Sequence, residues 1–106
     1  MNLEKFTLNH RFINITEWLQ ETILNISRDH IAKMSNSYLK PYFEKKDAKM
    51  SLQFTFEKNK QEKYEGKFVF NLDGKEIIYS NDVPFSEPLD VVNHAFKRLK
   101  EALASK

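Results

Sequence analysis

Met50, Leu52, Phe54 and Phe56 stand two residues apart, with Ser51, Gln53, Thr55 and Glu57 between them. A chain with that period gathers its apolar side chains on one face only when it is extended, so the stretch reads as a half-buried strand. Tyr64, Phe68, Phe70 and Leu72 continue the theme, and Asp73-Gly74 supplies the two positive-φ positions of a tight hairpin. Pairing outward from that turn sets Phe70 opposite Ile77 and Phe68 opposite Tyr79, so the third strand's apolar side chains join its neighbour's apolar face. From Lys49 to Ser80 the chain is expected to form an antiparallel meander with one aromatic side, interrupted by a polar, mobile turn at Lys58 to Lys63. Whatever flanks the meander must cover that side.

Two amphipathic segments are available for this. Ile15, Leu19, Ile23, Ile26 and His30 follow steps of three and four, with Trp18 and Thr22 beside them, and predict a helix from about residue 16 to Met34. Asn14 and Glu17 have the spacing of a capping box, and Thr16 is the other candidate cap. Ser35-Asn36-Ser37 ends the helix. Tyr38, Leu39, Tyr42 and Phe43 then cluster around Pro41, which predicts a kink or a short separate turn. Leu89, Val92, Phe96, Leu99 and Leu103 give a second long helix, with Ser86 as cap and Pro88 in the first turn. Leu3 to Leu8 supplies a short first strand. The order β-α-β-β-β-α predicts an α+β domain: a four-stranded sheet with both helices packed on one face, the first being a right-handed crossover between parallel strands. The other face, read from Gln53, Thr55, Glu57, Glu65, Lys67, Val69, Asn71, Glu76 and Ile78, is mostly polar and meets water.

The 106 residues suit one domain, 1–106, and contain no cysteine. A disulfide framework and a thiolate metal site are thereby excluded, and a reducing cytoplasm is the expected compartment. No run of eighteen apolar residues exists, so no membrane span is expected. Gly66 and Gly74 are too far apart for a glycine-rich phosphate loop. His10, His30 and His94 lack the spacing of paired ligands, and His30 falls on an apolar stripe where packing is its expected role. Neither catalysis, a metal, a cofactor nor a small-molecule substrate is expected. Phe54, Phe56, Phe68, Phe70 and Tyr79 fall on the helix-facing side, so they read as core and not as a base-stacking platform.

Charge is distributed unevenly. Residues 28–49 hold six Lys or Arg against three acids, and Lys97, Arg98, Lys100 and Lys106 crowd the last ten residues against Glu101 alone. Such clustering permits a polyanion-binding surface on the outward helix faces.

The ordered motifs resemble those of the ribosome hibernation-promoting factor family, also called ribosome-associated inhibitors or sigma-54 modulation proteins. Asn14-Ile15-Thr16-Glu17-Trp18-Leu19-Gln20-Glu21 is similar to the family's helix opening, and Phe56-Glu57-Lys58 to the Val-Glu-Lys that ends its second strand. Phe68-Val69-Phe70-Asn71-Leu72-Asp73-Gly74 resembles its third strand and hairpin, and Leu89 to Leu103 its last helix. The resemblance implies a short-form, diverged member: a domain shaped like a double-stranded-RNA-binding domain that occupies the tRNA and mRNA channel of the small ribosomal subunit and silences translation under stress or in stationary phase. Its partner would be ribosomal RNA, and it would be a cytoplasmic monomer, since the extension through which long members dimerise does not follow Lys106. Arg98 stands where the family has the Lys of a Lys-Leu pair. Lys97 and Lys100 adjoin it, and Lys106 adds to them. Arg28, Lys33 and Lys40 lie in an apparent insertion around residues 28–40, and Lys58 at the sheet edge is a secondary candidate. Departures thin the basic surface: Glu101 replaces a family arginine, and Gln20 another. The alternative is a diverged protein-interaction or regulatory module of the same fold that does not bind ribosomal RNA.

Overall fold

A computed structural model describes residues 5–104, which form β1 (Phe6–Ile13), α1 (Glu17–Met34), α2 (Lys40–Glu44), β2 (Met50–Lys58), β3 (Tyr64–Leu72), β4 (Lys75–Ser80) and α3 (Pro88–Ala104). The strands lie in the order β1-β2-β3-β4, with β1 parallel to β2 and the other pairs antiparallel. The register follows from the hairpin as expected: Phe70 pairs with Ile77 and Phe68 with Tyr79. Asp73 and Gly74 both take positive φ, 54° and 95°. The helices pack on one face of the sheet. Phe56, Phe68, Phe70 and Phe96 are fully buried there, with Ile23, Leu52 and Leu99 among them. Burying each such side chain stabilises the fold by roughly 1.5–3 kcal/mol before entropic costs.

α3 seats directly on β3. A Cβ placed on Gly66 would stand 2.8 Å from Val91 Cγ1, so the helix approaches the strand where no side chain intervenes. Further along, the Phe96 ring meets Phe70 edge-on with centroids 5.3 Å apart. Helix and strand therefore run in the same direction. α1 is held beside α3 by His30, whose ring stacks on Phe96 at 4.6 Å and whose Nε2 lies 3.0 Å from Asn93 Oδ1. The packing role expected of His30 is what the structure shows. Because α1 returns from the end of β1 to the level where β2 starts, it too runs in the direction of β3. Both helix C-termini thus point to one end of the sheet, where β1 and β2 begin and the Asp73-Gly74 hairpin turns. We call this the hairpin end; the opposite end carries the Asn59 turn.

Several local expectations are corrected. The first strand is not Leu3 to Leu8. It spans Phe6–Ile13, because parallel pairing with β2 continues through Ile13↔Glu57; Leu3 lies outside the described residues. Asn9-His10-Arg11 concealed the strand by being polar: as an edge, β1 leaves both Asn9 and Arg11 and even His10 exposed. The Asn14–Glu17 capping box does not form. Asn14 instead takes φ 58°, which its short polar side chain tolerates, Thr16 is the cap position without a side-chain bond, and Gln20 Nε2 donates to the Ile15 carbonyl at 2.9 Å. The deepest stripe of α1 is Ile23, Ser27, Ile31 and Met34. Ser27 fits because its hydroxyl donates to the Ile23 carbonyl at 2.8 Å. Trp18, by contrast, is 74% exposed. The last helix begins at Pro88, so Glu87 and not Ser86 flanks it. The Lys58–Lys63 turn is internally bonded: Asn59 Oδ1 accepts from the N–H groups of Gln61 and Lys63 at 2.9 and 3.1 Å.

Candidate nucleic-acid interface

α3 presents Lys97 and Arg98 as exposed side chains, with Lys100 half-buried. At 100° per residue, Lys100 lies about 60° from Lys97 and on the side of Asn93, hence toward α1, while Arg98 points about 160° away from Lys100. Exposed Glu101 falls between Lys97 and Arg98 and weakens that arc. On α1, Arg28 and Lys33 are exposed but about 140° apart. Lys33 shares α3's side, one turn beyond His30. Lys33 Nζ lies 3.0 Å from Asp29 and Lys40 Nζ 4.0 Å from Glu44, both pairs in solvent, where each contributes about 0.3–0.5 kcal/mol. Among the described residues, Arg28, Lys97, Arg98 and Lys100 have no ion-pair or hydrogen-bond partner for their side chains. Lys106 lies outside the described residues.

The structure therefore gathers Lys33, Lys40, Lys97 and Lys100 toward the hairpin end, sets Arg28 and Arg98 on its flanks, and leaves Lys58 apart. Lys58 ends β2, pairs in register with Tyr64, and lies 3.7 Å from Glu62. A nine-residue strand spans roughly 26 Å, which separates it from the others.

Sequence reasoning missed the lysines between and beside the strands. Met50↔Leu72 pairing brings the loop from α2 to β2 against the hairpin. Lys45 Nζ donates to Asp73 Oδ2 at 2.6 Å, and the Asp73 N–H donates to the Lys49 carbonyl at 2.6 Å. Lys5 Nζ donates to the carbonyls of Phe43 and Lys45 at 2.9 and 2.6 Å. The hydrogen bond from Lys45 holds the Asp73 carboxyl below its ordinary pKa, and the same bond raises that of Lys45. Lys46, Lys49 and Lys75 are exposed beside this pair, with no side-chain partner among the described residues. The signal that could have found them was the register itself, extended one residue past each strand end.

Among the described residues no group of three His, Cys, Asp or Glu is placed to hold a metal ion, and no helix is long and apolar enough to cross a membrane. No protein-family model matches the chain, and no curated protein sequence matches it. Among solved structures, the N-terminal domain of Thermus thermophilus Protein Y shares the fold: TM-score 0.61, 11% identity, covering 92% of this chain and 94% of that one. At that identity the likeness concerns the fold.

Proposed function

We propose that residues 1–106 form a single ribosome hibernation factor-like domain that binds the small ribosomal subunit and inhibits translation in the cytoplasm by occupying the tRNA and mRNA channel. The ordered motifs that resemble the hibernation-promoting factors support this reading, and the fold shared with the Protein Y domain gives them the architecture they imply. The observation that carries it is the pairing of α1 with α3 through His30, Asn93 and Phe96, which turns the helix sides bearing Lys33 and Lys100 toward each other, with Lys97 about 60° round α3 from Lys100. The described structure supplies no partner for Lys97 or Lys100, so they are free to neutralise phosphates.

In this mechanism there is no chemistry. The sheet fixes the helices, their cations replace counterions on ribosomal RNA, and the body of the domain blocks the channel. Released counterions make association fall steeply with salt, by about one logarithmic unit of slope per phosphate contact. Sedimentation of tagged protein with ribosomes at low and high salt tests it: co-migration with the small subunit at low salt, lost at high salt, is expected, and no co-migration at low salt overturns the reading.

Exposed Glu101 amid the α3 cations favours a second reading, a protein-interaction module without RNA binding. An Arg98→Glu, Lys100→Glu variant that keeps all ribosome association would favour it, or a different contact surface. Loss of about tenfold or more in association supports the first reading.

A further inference from the structure

The hairpin end carries a cluster of cations that neither the motifs nor the helix faces account for. Lys46 and Lys49 lie in the loop before β2, and Lys75 opens β4 just after the turn. The nearest acid in this turn, Asp73, is already bonded to Lys45, and Lys5 is committed to two backbone carbonyls. Asp47 in the loop and Glu76 after Lys75 are the remaining acids beside them, so Lys46, Lys49 and Lys75 outnumber them three to two. An open depression of about 490 Å³ is bordered by Lys5, Lys49, Thr7 and Ser51; the Lys49 ammonium and the two hydroxyls are donors suited to phosphate oxygens.

The opposite end of the sheet has as many lysines and a different balance. Lys58, Lys60 and Lys63 stand against Glu57, Glu62 and Glu65, and Asp82, Glu87 and Asp90 follow where the chain enters α3. The molecule is therefore polarised along the strands, positive where the helices end and negative where they begin. A polyanion approaching such a molecule is turned toward the hairpin end before contact.

We infer that the hairpin end, through Lys46, Lys49 and Lys75, is a second contact surface for the phosphodiester backbone of RNA, separate from the outward faces of α1 and α3. In its ribosomal form this rests on the function proposed above, and it means the domain enters its site hairpin end first, with the acidic end facing out. RNA is the occupant favoured by unpaired lysines beside the Thr7 and Ser51 hydroxyls, which together suit phosphate oxygens; an acidic polypeptide is the competing one.

Four proteins test this: wild type, Lys46→Glu/Lys49→Glu, the matched opposite-end control Lys60→Glu/Lys63→Glu, and Arg98→Glu. Each is checked by circular dichroism for a wild-type thermal midpoint, then measured against ribosomes and against a fluorescein-labelled RNA duplex across a salt series. The hairpin-end variant should associate about tenfold more weakly at low salt, with a salt slope reduced by about two units, while the opposite-end control changes less than about twofold. Equal loss in both double variants would mean that only net charge matters, and would overturn the inference. So would a hairpin-end variant that binds like wild type while Arg98→Glu does not; the ribosomal reading would then stand alone. If wild type binds the duplex through Lys46 and Lys49 but never sediments with ribosomes, the ribosomal reading fails and the contact surface remains. Binding to neither RNA, or competition by polyglutamate as effective as by RNA at equal charge, overturns the surface as an RNA contact.

Discussion

The two ends of the sheet are closed by different chemistry. At the Asn59 end, side-chain amides bond to the backbone: Asn81 Oδ1 accepts from the Gly66 N–H at 2.8 Å, and its Nδ2 donates to the Tyr64 and Val83 carbonyls, each at 3.1 Å. Tyr64 and Phe85 also exchange backbone hydrogen bonds of 2.7 and 3.0 Å. At the hairpin end the ties are charged: Lys45 on Asp73 and Lys5 on two carbonyls. These neutral ties fix backbone, and the lysines of this end stand among acids, Lys58 lying 3.7 Å from Glu62. Charged ties consume one acid and leave Lys46, Lys49 and Lys75 without a side-chain partner among the described residues. One end therefore holds the start of α3 in place, and the other is free to bind.

The largest test of this contrast is Gly66→Ala. The new Cβ would stand 2.8 Å from Val91 Cγ1 and 2.9 Å from Phe68 Cε1, both buried, so α3 must lift or the strand must bend. A loss of about 2–3 kcal/mol in denaturant unfolding is expected. Gly74→Ala at the hairpin end meets no atom within 4 Å and costs only its φ of 95°, about 1 kcal/mol. Equal costs would break the comparison. Next in size is Asn81→Ala, which strips three hydrogen bonds from the backbone, two of them partly buried, and should cost about 1–2 kcal/mol. Hydrogen exchange should show the Gly66 amide losing protection while the hairpin amides keep theirs.

Most of the sheet could be read from the sequence because period two and the Asp-Gly turn admit one register. Phe68, Phe70 and Ile77 had no other face to occupy. Gly66 was different. In a one-dimensional pattern it is an absent side chain, and its importance arises only when Val91 is placed above it. β1 was misplaced because an edge strand with half-covered faces shows little alternation. The site was legible in part: periodicity exposes Lys97 and Arg98, but whether a lysine is free depends on contacts as distant in sequence as Lys45 and Asp73. Lys58, a secondary candidate at the sheet edge, is carried to the far end by the length of its strand.

The smallest effect comes from the Lys45–Asp73 pair itself, and it separates stability from binding. Asp73 titrates below its ordinary value in the folded chain, first because Lys45 hydrogen-bonds to it. Its contribution is thus fully present above roughly pH 4 and is lost as pH falls through the lowered folded value. The raised pKa of Lys45 works in the other direction: that contribution is present below roughly pH 10.4 and lost as pH rises through the folded value. Thermal midpoints should therefore plateau between these limits, and Asp73→Asn should flatten the acid arm. Both groups are solvent-exposed, so the change is expected to be slight. Binding should respond with the opposite sign. At neutral pH the same substitution frees Lys45 and removes an anion from the hairpin end, so RNA association should strengthen and its salt slope should rise by about one unit. Glu62→Gln frees Lys58 at the other end by the same logic and should leave association unchanged. An equal gain from both substitutions would show that the two ends are equivalent toward RNA.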